Sequence, residues 1–124
     1  MSATRRSFLV GTAAAALPLQ AGAQAVPERD TRIYKRVDGL DIKADIIHGA
    51  GGSPHPAILY IHGGGLMMVS RRAMPPRWEL ERFTATGYTV VTIDYRLAPA
   101  TKLPEIVQDV TDAYAWMRAQ ARRL

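Results

Sequence analysis

The residues best placed to do chemistry are His62-Gly63-Gly64-Gly65. Glycine has no Cβ, so a run of three lets the backbone turn tightly and approach another group closely. Such a run can also aim successive N–H groups into one small concavity, where they stabilise a negative charge. Two phosphate-binding alternatives fail on spacing. A Walker-type loop needs a Gly-Lys-Ser/Thr ending, and no lysine lies between Lys43 and Lys102. A dinucleotide fingerprint needs a third glycine where Met68 stands. The plain alternative is a strand-to-loop turn without chemistry.

A second stretch, Asp94-Tyr95-Arg96-Leu97-Ala98-Pro99, offers Asp94 and Arg96 as an acid/base or ion pair. Arginine is always protonated, which makes it a poor general base. His48, His55 and His62 recur every seven residues. Their intervals cross a loop and a strand, so no single face collects them and no metal site is expected. The serines are Ser2, Ser7, Ser53 and Ser70, and none stands in a Gly-x-Ser-x-Gly elbow. With no cysteine in the chain, disulfides, thiolate metal sites and cysteine nucleophiles are excluded.

The elements that must position these residues are legible around them. Ala57 to Ile61, an apolar run bounded by Pro56 and the glycines, reads as a strand buried on both faces. Upstream, Arg32–Val37 and Leu40–Ile47 are strands joined by Asp38-Gly39, a strong hairpin signal. In the second, Leu40, Ile42, Ala44 and Ile46 should face a core, and Asp41, Lys43 and Asp45 should face water, as in an antiparallel edge. Pro76–Thr86 reads as a helix burying Trp78, Leu80 and Phe83, and Tyr88–Ile93 as the next strand, giving a βαβ unit. From Pro104 to Leu124 the apolar period is helical, with Ile106, Val107, Val110, Ala113, Tyr114, Met117 and Leu124 on one stripe. Glu105 sits in its first turn and Arg118, Arg122 and Arg123 in its last, where the helix dipole favours each. The polar face of this helix should be solvated.

At 124 residues and 48% hydrophobic content, the chain holds at most one modest domain. Its first 25 residues carry Arg5 and Arg6, an alanine-rich apolar stretch from Val10 to Leu19, and Ala23-Gln24-Ala25. That arrangement reads as a twin-arginine export signal cleaved before Val26, implying a periplasmic or secreted product. Its apolar stretch falls short of the ~20 residues that span a bilayer. Residues 26–30 read as a linker and 31–124 as the folded part. Without Arg5 and Arg6 the balance is 14 basic to 11 acidic residues with no long basic run, which argues against nucleic-acid binding.

Together, His62-Gly63-Gly64-Gly65 and Asp94-Tyr95-Arg96-Leu97-Ala98-Pro99 resemble the paired motifs of α/β-hydrolases of the hormone-sensitive-lipase-like and feruloyl-esterase-like groups (BD-FAE-like carboxylesterases). The resemblance covers residues 31–124. It implies the N-terminal part of an α/β-hydrolase fold: a β-hairpin leading into a parallel sheet with crossover helices, in strand order 1-2-4-3-5. It implies no cofactor and a small-molecule ester as substrate of the complete enzyme. The N–H groups of Gly64 and Gly65 would form the oxyanion hole, Gly63 would permit the turn, and His62 would brace the loop. Asp94 and Arg96 would support the neighbouring loop, and Leu66 and Met67 would line the acyl pocket.

In that family the nucleophile follows the fifth strand, after a helix like 104–124, and the acid and base come later still. The expectation is therefore the N-terminal portion of a serine esterase, inactive alone. Its third strand would be an exposed apolar edge that self-associates or awaits a missing C-terminal half. The rivals are a non-catalytic module that cradles a small anion and an enzyme completed by a separate C-terminal chain.

Overall fold

Two strand-forming runs flank Asp38-Gly39, and in the computed structural model they pair as β1 (Asp30–Val37) and β2 (Leu40–Ile47). The structure describes residues 27–52, 54–73 and 75–124, so the expected export signal lies outside the described residues. Asp38 and Gly39 take φ of 49° and 80°, the left-handed pair that a two-residue hairpin requires, and Val37 stands opposite Leu40.

The chain continues through β3 (Ala57–Ile61), α1 (Arg77–Ala85), β4 (Thr89–Ile93) and α2 (Leu103–Ala119). The sheet order is β1-β2-β4-β3, with β3 and β4 parallel and in register from Ala57 opposite Thr89 to Ile61 opposite Ile93. β2 is thus an inner strand rather than an edge, because its second side pairs antiparallel with β4. The edge among the described residues on the far side is β3, which is half-buried rather than enclosed, with Ile61 49% exposed.

β4 is the centre of the molecule, and all five of its residues are buried. Its side chains alternate between two cores. Val91 and Ile93 join Ala44, Ile46, Ala113, Met117 and Leu124 beneath α2. Val90 joins Ile47 and Leu80 beneath α1, with Tyr60 and Phe83 at the margin. Burying a Val or Ile side chain contributes about 1.5–3 kcal/mol. A strand of such residues covered on both faces is therefore what ties the two layers together.

Three expectations need correction here. Asp45 does not face water: it is fully buried, because α1 and the loop preceding it cover that side of β2. On α2, Val107 and Tyr114 are exposed, and Asp109 is buried in the stripe between Ile106 and Ala113. Two strong cations explain that inversion: Arg96 and Lys35 both reach the Asp109 carboxylate. Finally, Trp78 lies on the solvent side of α1, and only Leu80 of its three apolar residues is fully buried.

α2 ends at Ala119, so Arg122 and Arg123 fall beyond it. The following residues turn back until Leu124 is buried, and the Leu124 carbonyl accepts a hydrogen bond from the Thr89 hydroxyl at 3.3 Å. Among the described residues no helix is long and apolar enough to cross a membrane.

Candidate functional site

The glycine stretch leaves the carboxyl end of β3 and runs into a loop whose backbone is unusual. Gly64 and Gly65 take φ of 106° and 63°, and so do two residues with side chains, Leu66 at 63° and Val69 at 80°. A β-branched residue such as Val69 is a genuine outlier there, and each such position costs about 1–3 kcal/mol unless its surroundings over-determine it. Only glycine fits at position 64, because a Cβ there would lie 2.2 Å from the Met68 carbonyl oxygen. The left-handed turn falls on Gly64 and Gly65 and not on Gly63, around which a Cβ would meet open space.

The Gly64 carbonyl accepts from the N–H groups of Met67 and Met68 at 3.2 and 3.3 Å, closing the loop on itself. Among the described residues, no group accepts a hydrogen bond from the N–H of Gly64 or Gly65. The N–H groups of Gly63, Leu66, Val69 and Ser70 likewise meet no acceptor among the described residues, while those of Met67, Met68, Arg71 and Ala73 are bonded within the protein. Leu66, Met67, Met68 and Val69 follow immediately and are exposed, forming an apolar lip beside the donors.

The segment after β4 holds this loop at three points. At the near end, the Tyr95 hydroxyl donates to the His62 carbonyl at 2.7 Å, and the two rings stack with centroids 4.3 Å apart. His62 is 3% exposed, and its Nδ1–H donates to the Gly63 carbonyl at 2.8 Å, which fixes the tautomer. Burial pushes the Tyr95 phenol up, so it stays a donor. In the middle, the Ala98 N–H donates to the Leu66 carbonyl at 2.8 Å. At the far end, the Asp94 carboxylate accepts from the Arg71 N–H at 2.9 Å and pairs with the Arg71 guanidinium.

Asp94 and Arg96 therefore do not pair with each other. Arg96 turns to the other side of the sheet and grips Asp109 with Nε and Nη2, each at 2.8 Å, while its own N–H donates to the same carboxylate at 3.1 Å. Lys35 completes that site, with Nζ 2.7 Å from Asp109 and 2.5 Å from Asp112. Burial would raise the Asp109 carboxyl, but Arg96 and Lys35 hold it below the usual carboxylate range. Tyr34, at the bulge in β1, donates to the Asp94 carbonyl at 2.6 Å.

Two residues of the site were not visible in the sequence. Arg71 donates from Nε to Asp45 at 2.9 Å, and Asp45 also accepts from the Thr31 hydroxyl at 2.7 Å. Burial would raise the Asp45 carboxyl, but the bonds from Arg71 and Thr31 outweigh it and hold it low. The partners are 26 residues apart, and no local pattern links them. Asp109 had a signal, since it shares a helical stripe with Ile106, Ala113 and Met117. Among the described residues no group of three His, Cys, Asp or Glu side chains could hold a metal ion.

A parallel β3-α1-β4 crossover, a hairpin feeding its sheet, and a glycine loop at the carboxyl end of β3 define the first part of an α/β-hydrolase fold. The superposition with esterase 2 of Thermogutta terrifontis agrees: TM-score 0.67 and 29% identity over 76% of this chain and 35% of that one. The same enzyme phosphonylated by cyclosarin matches equally, over 77% of this chain and 38% of its own. Residues 43–124 match the BD-FAE family model, and the chain belongs to that family.

Other relatives are segments of much larger proteins. A non-reducing polyketide synthase of Emericella nidulans is 42% identical over 90 residues, which is 70% of this chain and 4% of the synthase. Another from Aspergillus terreus is 39% identical over 112 residues, 86% of this chain and 4% of the synthase. The chain thus spans about a third of the esterases and a twenty-fifth of the synthases it matches.

Proposed function

We propose that this chain is the N-terminal, oxyanion-binding portion of an exported serine carboxylesterase. When a serine hydroxyl attacks an ester carbonyl, a new C–O bond forms and negative charge collects on the former carbonyl oxygen. The N–H groups of Gly64 and Gly65 stabilise that charge, and collapse of the intermediate expels the alcohol with a proton delivered by the base. One misplaced or missing donor of this kind raises the barrier by ~3–4 kcal/mol. His62 braces the loop: it is buried, its ring stacks on Tyr95, its carbonyl accepts from the Tyr95 hydroxyl and its Nδ1–H donates to the Gly63 carbonyl. Leu66 and Met67 line the acyl side of the pocket.

The observation that carries this reading is the left-handed turn at Gly64 and Gly65, whose N–H groups are unengaged among the described residues, on a loop held by residues 94–98. In the proposed arrangement the nucleophile follows a fifth strand beside β3 and the acid and base come later still, so these 124 residues alone are expected not to turn over esters. Arg5-Arg6 and the apolar stretch after them support export through the twin-arginine route.

The test joins this chain to the C-terminal part of the Thermogutta esterase and measures hydrolysis of a short nitrophenyl ester. Turnover is expected from the soluble chimera and not from the chain alone, with a loss of about 100-fold or more for Gly64→Ala. A folded chimera whose Gly64→Ala variant matches its parent would leave the loop as an anion cradle or a plain turn.

A further inference from the structure

Val69 and Leu66 hold left-handed backbone that their side chains disfavour, so something must fix the loop at both ends. The near end, His62, is held through Tyr95 within the recognised motif pair. The far end is held differently. The Arg71 guanidinium is 12% exposed and lies between two carboxylates, with Nε on Asp45 and Nη1 on Asp94. Asp45 belongs to β2, two strands from the β3 edge, and stands opposite Thr31 on one side and Thr92 on the other. Its Oδ1 carries Arg71 and Thr31, while Arg29 and Arg72 approach Oδ2 at 3.5 and 3.6 Å.

We propose that Arg71 is a positioning residue for the glycine loop, anchored by the buried Asp45 carboxylate, so that this strand-β2 group sets the shape of the Gly64–Gly65 cradle from a distance. Its consequence for catalysis rests on the oxyanion reading above. Arg71 is suited to position rather than to bind. Its Nε and Nη1 are engaged by two protein carboxylates, and its own N–H by Asp94. A planar guanidinium spans two acceptors at fixed geometry, which a lysine ammonium on a flexible stem does not. Removing either partner takes from the other a hydrogen-bonded counter-charge, leaving Asp45 only the more distant Arg29 and Arg72 or Arg71 only Asp94, and frees the chain between Gly65 and Ser70 to relax its strain.

The experiment is residue-resolved amide hydrogen exchange on the full chain and on Arg71→Met, Arg71→Lys and Asp45→Asn. The reporters are Met67 and Met68, bonded to the Gly64 carbonyl, and Ala98, bonded to the Leu66 carbonyl; Val90 to Ile93 serve as the control. Exchange at the three reporters should rise by about tenfold or more in Arg71→Met and Asp45→Asn, with the β4 amides within about threefold of the parent. Arg71→Lys should recover part of the protection.

A uniform rise across β4, or no change at the reporters, overturns the proposal. Should Arg71→Met fail to fold, the local or uniform pattern in Arg71→Lys decides. No turnover is needed for this readout, so it stands apart from the oxyanion reading. In the chimera, Arg71→Lys should lower kcat with KM little changed. An exchange effect without a kcat effect would keep the anchor and remove the oxyanion role.

Discussion

Two aspartates lie fully buried on opposite faces of one sheet, and they are treated differently. Asp109, on the inner face of α2, has both oxygens hydrogen-bonded by the Arg96 fork and is further held by Lys35. Asp45, under α1, has one oxygen bonded by Arg71 and Thr31, while the other has cations nearby but no hydrogen bond. The saturated carboxylate locks a helix to a hairpin. The incompletely bonded one holds a strained loop. Buried charge in this fold therefore serves architecture on one face and the shape of a site on the other.

The largest blow to this contrast should come from Asp109→Ala. It strands the Arg96 guanidinium and leaves Lys35 to Asp112 alone, and breaking a buried pair costs about 3–5 kcal/mol, enough to abolish cooperative thermal unfolding in a domain this small. Retention of the parental melting curve would show that α2 is held by its apolar stripe alone.

Acidification should act next, and on both faces at once. The folded carboxyls of Asp45 and Asp109 titrate below their unfolded values. Their stabilisation is therefore fully present above the unfolded value of ~3.9 and is lost as pH falls through the lower folded values. Melting temperatures measured between pH 7 and pH 3 should be level at first and then drop by several degrees below about pH 4. A melting temperature that rises below pH 4 would contradict both assignments.

Tyr95→Phe should be milder. It leaves the His62 carbonyl without its donor at a cost of about 1–3 kcal/mol, with exchange accelerated at the glycine loop before β4. Smallest of all should be Trp78→Ala on the exposed side of α1, within about 0.5 kcal/mol of the parent by denaturant unfolding. A larger value would mean that this ring packs against something in solution.

The fold was legible because its signals are local. Asp38-Gly39 prescribes its own turn, and the apolar runs at 57–61 and 89–93 prescribe strands whatever lies beside them. The alternation along β2 correctly put Asp45 on the face away from Ala44 and Ile46. It could not say that this face is covered, since the cover arrives with Arg71 and α1 later in the chain. For α2 the helical period was right, but hydrophobicity chose Val107 and Tyr114 over Asp109. A charge with two cations in reach is buried more readily than an aliphatic side chain pointing away from the sheet. The motif residues were found, while the pairing of Asp94 with Arg71 and of Arg96 with Asp109 depended on contacts that no spacing encodes.

Among the described residues one flank of β3 is unpaired, which on the proposed reading makes the molecule one half of a switch. Its inner side is zipped to β4 from Ala57 to Ile61, leaving a five-residue template of outward amides and carbonyls whose starting point is already set. On the proposed esterase reading, a separately made complementary polypeptide that pairs there would bring its serine to the Gly64–Gly65 cradle. Fused to two interacting baits, the halves would turn ester cleavage into a signal that the baits had met.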